Sequence, residues 1–545
     1  RGQLRRHLAL DAPAGRLDLR LAERMAQVVT EDFDRESGGF GQRGPKFFEP
    51  EAWRFLLQWV FYYPLPPWRT MIDVTCKQMA RGGVYDQLGG GFHRYATDRM
   101  WYVPHFEKLL STNAAMLRLY IDAFAGTKDT VYREVGDGIA DYLLTVLRDP
   151  ATGLFWNHQD ADDPGGGEGT FYTWDKQELA DVLTAEERQV VLLTYGVRDL
   201  PRDLPQAPDE NVLRLAATVT EVAGALRWPP DRVTHVLEEA RVKLHARRAL
   251  RPAPEVESAA YVSSNGMAVA ALLRGAQVLG RRQWAEAALT ALERIWSAGW
   301  NKGTGMVRGW QGGRKRADGL LGDQVWTLLA LLDAYEATGE GVWLERATLL
   351  AELIEERFID PEGGGFFDRS LALRRGPWGL ESDPVKNFFD RSEPAENPAL
   401  AIAYDRLAYL TDNPDWRITA EGILLGLAGM HPGSVDRSLA SYASAVLYHI
   451  RPPAHVVIVG LATDPVVEGL AIVARQTARP WTIVRVLTPE AAGAAPLPEA
   501  VRAQRQVAEA AGRPMAFLCV GTACAPPTAD PTELDRQLAS FALSH

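Results

Sequence analysis

Apolar residues recur every three or four positions over most of this chain. "LAERMAQVVTEDFD", "AAMLRLYIDAFAG", "GMAVAALLRGAQVLG", "QVWTLLALLDAYEATG", "VWLERATLLAELIEERF" and "ALAIAYDRLAYLTD" all carry this spacing between about Leu17 and Ile450. The pattern predicts helix after helix. Gly126, Gly280 and Gly339 stand where several of these runs stop, as helix-terminating glycines do. After alternate helices comes a short glycine–aromatic element: "ESGGFGQ" at Glu36, "LGGGFHR" at Leu88, "ATGLFWN" at Ala151, "KGTGMVRG" at Lys302 and "PEGGGFFD" at Pro361. A weaker sixth, "DENVLRL", starts at Asp209. The elements recur mostly at intervals of about 50–65 residues, two helices plus their connections, which marks a repeat architecture.

Six such helix pairs can close into a ring, which leaves no exposed end to cap. The expected fold is therefore mainly α, an (α/α)6 toroid over residues 17–451, with residues 1–16 as an N-terminal segment. An open helical solenoid is the alternative. Near Pro452 the texture changes. "AHVVIVGL", "DPVVEGLAIVARQT", "PWTIVRVLT" and "RPMAFLCV" read strand, helix, strand, strand, so residues 452–545 are expected to form a small α/β domain. In the toroid, the connections at one rim would form a concave mouth, where pockets between helices are expected.

Composition narrows the function classes. Of 545 residues, 46% are apolar and 24% charged, which is ordinary for a globular protein. The net charge is −11, which argues against nucleic-acid binding, a task that needs a basic face. No apolar run approaches the roughly 18–20 residues of a membrane span. The three cysteines, Cys76, Cys519 and Cys524, are too few for a disulfide framework. Cys519 and Cys524 read as two partly buried thiols at a strand end. A reducing, cytoplasmic setting is the default expectation. The chain starts at Arg1 with neither Met nor a signal-peptide pattern, so a processed or truncated product is expected.

Candidate chemistry gathers in two stretches. In "GGVYDQLGGGFHRYATDRMWYVPHFEKLL", His93, Arg94, Tyr95 and Asp98 follow a glycine–aromatic element, and Trp101, His105 and Glu107 follow those. His105 and Glu107 are read as opening the next helix, where residues two apart do not share a face. Histidine suits proton exchange near neutral pH. In "FWNHQDADDPGGGEGTFYTW", His158, Asp160, Asp162 and Trp174 mix carboxylates with aromatics, a composition suited to sugars. Asp, Asp and Glu could also hold calcium or magnesium, but the spacing is not that of an EF-hand, and no metal or other cofactor is expected. Asn265, Asp323, Asp390 and Glu393 sit at similar junctions later in the chain. Capping a helix start is the competing role there.

"SGGFGQRGPKF", "ARGGVYDQLGGGFHRYATDRMWYVPHFEKLL", "DADDPGGGEGTFYTW" and "CVGTACAPPTADPTEL" resemble the spermatogenesis-associated, thioredoxin-like family. The resemblance covers nearly the whole chain. It implies an (α/α)6 barrel similar to N-acylglucosamine 2-epimerases and six-hairpin glycosidases. It also implies an N-terminal thioredoxin-like domain, which this sequence lacks. The family pattern resembling DDKxLTxWNG reads "EVESAAYVSSNG" here, keeping only Asn265 and Gly266. If the lost groups bind substrate, this copy is altered or inactive.

The leading expectation is a carbohydrate-active or carbohydrate-binding barrel with a small, sugar-like ligand. Epimerisation next to a carbonyl would use His93 and His105 as proton-transfer groups, Glu107 beside them, and Arg94 to stabilise an enolate. Tyr95, Asp98, Trp101, His158, Asp160, Asp162, Trp174, Asn265, Asp323, Asp390 and Glu393 would contact the substrate. Glycoside hydrolysis would instead need paired carboxylates roughly 5–10 Å apart. A catalytically degenerate scaffold and a redox-linked partner of a separate thioredoxin-like protein are the remaining expectations.

Overall fold

The structure is a computed structural model. It describes residues 17–164, 167–199, 209–316, 319–361, 363–370, 384–477, 479–497, 501–502, 504 and 512–540. The expected N-terminal segment 1–16 lies outside the described residues.

Helices alternate between an outer and an inner ring. The chain runs α1 (Arg20–Glu31, outer), α2 (Pro50–Tyr62, inner), α3 (Pro66–Arg81, outer), α4 (Leu110–Thr127, inner) and α5 (Thr130–Tyr142, outer). Four inserted helices follow: α6 (Lys176–Val182), α7 (Ala185–Tyr195), α8 (Val219–Leu226) and α9 (Pro230–Arg248). Alternation resumes with α10 (Val262–Leu279, inner), α11 (Arg282–Gly299, outer), α12 (Leu321–Thr338, inner) and α13 (Gly341–Phe358, outer). It ends with α14 (Glu396–Thr411, inner), α15 (Asp415–Ala428, outer) and α16 (Ala440–Ile450, inner). The inner helices touch in the order α2, α4, α10, α12, α14, α16 and back to α2. The ring is closed.

Sequence decides which helix goes where. α10 buries an almost unbroken run, Val262 to Leu273, as a helix apolar on all sides does. α1 buries only one stripe, Leu21, Ala22, Met25, Ala26, Val28 and Val29, and lies outside.

Each passage from outer to inner helix occurs at one rim, beside the inner N-termini, and four of them share one turn. The N–H of Asp34, Asp86, Asp149 and Asp360 donates to the carbonyl five residues on, at 2.8–3.0 Å. The residues on either side pair as Phe33 with Phe40, Tyr85 with Phe92, Arg148 with Phe155 and Ile359 with Phe366. Glycine is required at the bend. Gly90 has φ +70°, and a Cβ there would lie 2.1 Å from the Gly138 carbonyl oxygen.

An amide from the following inner helix then clamps the corner. Asn113 accepts from Phe92 N–H, Asn265 from Phe155, Gln324 from Met306 and Asn397 from Phe366, each at 2.7 Å. The same amides donate back to the carbonyl of the same residue at 2.8–3.0 Å. The antiparallel pairing beside each corner bonds the flanking residues and leaves these buried backbone groups over, so the side chain satisfies both.

The stretch at Asp209 is not a sixth corner. Trp174 bridges Asn211 within the inserted helices, and that insertion lengthens the interval before "KGTGMVRG".

Beyond α16 a sheet forms from β1 (Ala454–Val459), β2 (Ile483–Leu487), β3 (Met515–Val520) and β4 (Ala523–Cys524), in the order β2-β1-β3-β4. β1 is parallel to β2 and antiparallel to β3, and every residue of it is buried. α17 (Pro465–Arg475) and α19 (Pro531–Ser540) cover one face, with a short α18 (Pro489–Ala494) between β2 and β3. The domain docks on the C-terminal ends of the inner helices. Gln476 donates to the Val278 carbonyl at 2.7 Å, and Lys128 donates to the Gln476 carbonyl. Cys519 and Cys524 are bonded to each other, a correction to the two free thiols expected. They face one another across the β3–β4 register, which five residues of sequence separation did not reveal.

Candidate functional site at the barrel mouth

The segment from Pro104 to Leu109 is extended, and α4 begins only at Leu110. This corrects the helical reading of His105 and Glu107. In an extended chain, residues two apart share a face. His105 and Glu107 point to one side, half-buried, while Phe106 and Lys108 point to the other and are fully buried. Pairing fixes the neighbours: Tyr95 lies opposite His105, Leu109 opposite His158, and His158 opposite Glu257.

Glu107 is the centre of the resulting cluster. Its Oε2 accepts from Arg94 Nη1 at 2.8 Å and lies 3.8 Å from His105 Nε2. Its Oε1 lies 4.0 Å from His158 Nε2. Each imidazole is braced from behind by a different carboxylate. His105 Nδ1 meets Glu168 Oε1 at 2.8 Å, and His158 Nδ1 meets Glu257 Oε2 at 3.2 Å. A carboxylate can only accept, so it favours the proton on Nδ1 and leaves Nε2 with its lone pair. Asn157 Nδ2 lies 3.2 Å from the same His158 Nδ1; as a donor it competes there with Glu257 for that nitrogen. The Tyr95 ring lies 5.2 Å from the His105 ring, and the exposed Phe47 ring lies 5.1 Å from Tyr95.

The structure thus brings together His105, Glu107, Arg94, Tyr95 and His158. Glu168 and Glu257 complete the set; Glu168 belongs to the carboxylate–aromatic stretch around His158 but was not among the expected contacts, and Glu257 was missed. They are 63 and 99 positions from their imidazoles; Glu257 comes opposite His158 by strand pairing, and Glu168 arrives on the loop that bridges back to Asp162.

Other expected site residues lie elsewhere. His93 is 1% exposed, its Nδ1 bonds the Phe106 carbonyl at 2.8 Å, and the Phe106 and Tyr172 rings stand edge-on to it. Burial, with the Lys108 charge behind it, pushes its pKa down to about 3, so the ring is a neutral packing group. Trp101 is wholly buried, donates to the Ser37 carbonyl and stacks on Phe48. Asp98 spends its carboxylate on the backbone of Met100, Tyr102 and Val103. Trp174 is core to the inserted helices, with the Arg251 guanidinium 4.1 Å over its ring. Asp160 accepts from Ala161 N–H, and Asp162 is exposed beside it. Asn265 is one of the corner clamps described above.

Asp323, Asp390 and Glu393 sit farther round the rim. Asp323 is fully buried, accepts from the N–H of Ser263 and Leu320, and pairs with Arg308 at 3.1 Å. Burial raises the Glu393 carboxyl, with Arg308 opposing the rise. Asp390 accepts from the N–H of Ala395 and Ser441, and burial with the nearby Glu51 charge pushes it up to about 7. Among the described residues, no group of three or more His, Cys, Asp or Glu is arranged to hold a metal ion. No helix among them is long and apolar enough to cross a membrane.

Sequence comparison places this architecture among known proteins. No family model matches the chain. Human spermatogenesis-associated protein 20 is 30% identical over 427 residues, covering 72% of this chain and 53% of that protein. The mouse protein of the same name is 29% identical with the same coverage, and an uncharacterized Caenorhabditis elegans protein is 27% identical over 413 residues. The chain is a homologue of these spermatogenesis-associated proteins. It spans about half the length of the curated relatives it matches. Among solved structures, a D-mannose isomerase superposes with a TM-score of 0.47 at 12% identity, covering 74% of this chain and 82% of that one. A GH76 α-mannanase from Bacteroides thetaiotaomicron gives 0.45 at 10% identity, covering 79% and 96%. At such scores the fold rests on the closed ring of helices itself.

Proposed function

We propose that the rim cluster binds a sugar-like molecule and transfers protons at a carbon next to its carbonyl, as an epimerase or isomerase does. One observation carries this reading: two imidazoles, each braced at Nδ1, turn their Nε2 atoms toward opposite oxygens of the single carboxylate Glu107. Removing a proton from one side of a carbon and returning it from another needs two groups that exchange protons near neutrality. His105 and His158 are the two side chains the cluster offers for that exchange. Arg94, with its side chain 47% exposed, offers a cation to an oxygen that gains charge in the enolate. The adjoining Phe47 and Tyr95 rings offer an apolar face for the sugar's C–H groups.

The test is ligand binding followed by thermal unfolding against a panel of mono- and disaccharides. At least one sugar is expected to raise the melting temperature of the wild type and not that of Glu107→Gln. A panel that shifts neither protein would overturn the reading.

A further inference from the structure

A second site lies inside the barrel, away from the rim cluster. The inner helices enclose an axial cavity of about 210 Å³, and the docked C-terminal domain supplies its floor. Six arginines line it: Arg54, Arg118, Arg274 and Arg406 from the inner helices, and Arg475 and Arg479 from the C-terminal domain. Four carboxylates oppose them: Glu51, Asp122, Asp333 and Glu336.

The barrel arginines are matched. Arg54 pairs with Glu51 at 2.9 Å, Arg118 and Arg274 with Asp122 at 3.1 and 3.2 Å, and Arg406 with Asp333 and Glu336 at 2.6 and 2.7 Å. Arg475 and Arg479 are not. Among the described residues neither forms an ion pair with a carboxylate, and burial depresses the pKa of both. Arg479 is 3% exposed and spends one Nη on the Pro452 carbonyl, leaving Nε and the other Nη without a partner. Arg475, Ser444 and Tyr448 also line the cavity, and their Nε, Oγ and OH atoms are buried without a partner. A buried, uncompensated guanidinium is destabilising, and each orphaned donor adds to that. Arg479 is such a charge, and Arg475 beside it is half-buried, with Glu336 as the one carboxylate whose charge acts on it; the cavity floor therefore carries more positive than negative charge.

We propose that the cavity floor binds a small dianion of the phosphate-monoester class. Arg475 and Arg479 neutralise its two charges, and guanidinium N–H groups suit phosphate oxygens. Ser444 and Tyr448 hydroxyls donate to the remaining oxygens. The site does not depend on the rim reading, since it shares no residue with it.

Isothermal titration calorimetry at constant ionic strength tests this, with inorganic phosphate and a hexose 6-phosphate as probes and the free hexose and succinate as controls. Saturable binding of both phosphates is expected, weakened at least about tenfold in the Arg475→Gln/Arg479→Gln double variant. Glu107→Gln is expected to leave this affinity unchanged, so failure of the rim reading and failure of this one are distinguishable. The double variant removes two buried charges and is expected to melt no lower than wild type in anion-free buffer. Should it not fold, Ser444→Ala/Tyr448→Phe is expected to weaken phosphate several-fold instead. Absence of saturable phosphate binding up to about 10 mM, succinate binding as tightly as phosphate, or variants that bind like wild type would each overturn the proposal.

Discussion

Glu107 and Lys108 are neighbours in sequence and face opposite sides of one short extended segment. Each belongs to a cluster in which one carboxylate is surrounded by basic side chains. On the inner side, Asp86 is clasped by Lys108 at 2.8 Å and Arg248 at 2.8 Å, with side chains at most 6% exposed. Lys108 also donates to the Gly90 carbonyl, so the ion pair bolts the corner to the strand. On the outer side, Glu107 sits among Arg94, His105 and His158, whose side chains remain 23–47% exposed. The same kinds of groups thus make a sealed lock in one place and a water-accessible cluster in the other. Burial separates the two roles. Charges sealed from water are fixed by their partners, whereas charges that water still reaches can exchange protons with a ligand.

Substitutions on the two faces should therefore differ. Asp86→Ala leaves Lys108 and Arg248 buried without a counter-ion and is expected to cost about 3–5 kcal/mol, readable by urea denaturation. The corner clamps come next. Asn397→Ala strips the Phe366 N–H and carbonyl of their partners, with an expected loss of about 2–3 kcal/mol.

The buried imidazole gives a pH signature. The native pKa of His93 is depressed to about 3, so the unfolded state binds more protons between that value and the usual range near 6.5. Stability is full above pH 6.5 and is lost as pH falls, on the order of 2 kcal/mol by pH 5. His455 on β1, likewise pushed down to about 3 by burial and Arg485, adds a slope of the same sign. His93→Gln is expected to reduce the acid slope by about half rather than abolish it. On the outer face, Glu107→Gln is expected to change stability by less than about 1 kcal/mol. An Asp86→Ala cost no larger than that of Glu107→Gln would dissolve the distinction between the two faces.

The ring was readable from the sequence because its signals are local: helical periodicity, glycine stops at Gly280 and Gly339, and recurring glycine–aromatic corners; Gly126 is no stop, since its helix runs on to Thr127 and Lys128 takes the left-handed cap. The reason for the corners was not. The four Asp-led turns are visible in "DRESGGF", "DQLGGGF", "DPATGLF" and "DPEGGGF", but the clamps that hold them come from inner helices up to 110 residues away. Asn265 looked like a ligand contact for that reason. The site was half legible. His105, Glu107 and Arg94 lie in one stretch, yet Glu257 reaches His158 by strand pairing across the insertion and Glu168 reaches His105 from a separate loop. His93 misled because composition does not say which face of a chain is buried. The arginines on the cavity floor were invisible, since their meaning depends on how the C-terminal domain docks.

The central claim is that the outer face of this segment moves protons. Incubating the protein with aldoses and ketoses in D2O and following the C–H next to the carbonyl by NMR tests it directly. The expected result is deuterium entering at that carbon for at least one sugar, and no such entry with His105→Asn or His158→Asn. Exchange no faster than in protein-free controls for every sugar, or exchange that survives both substitutions, would contradict it.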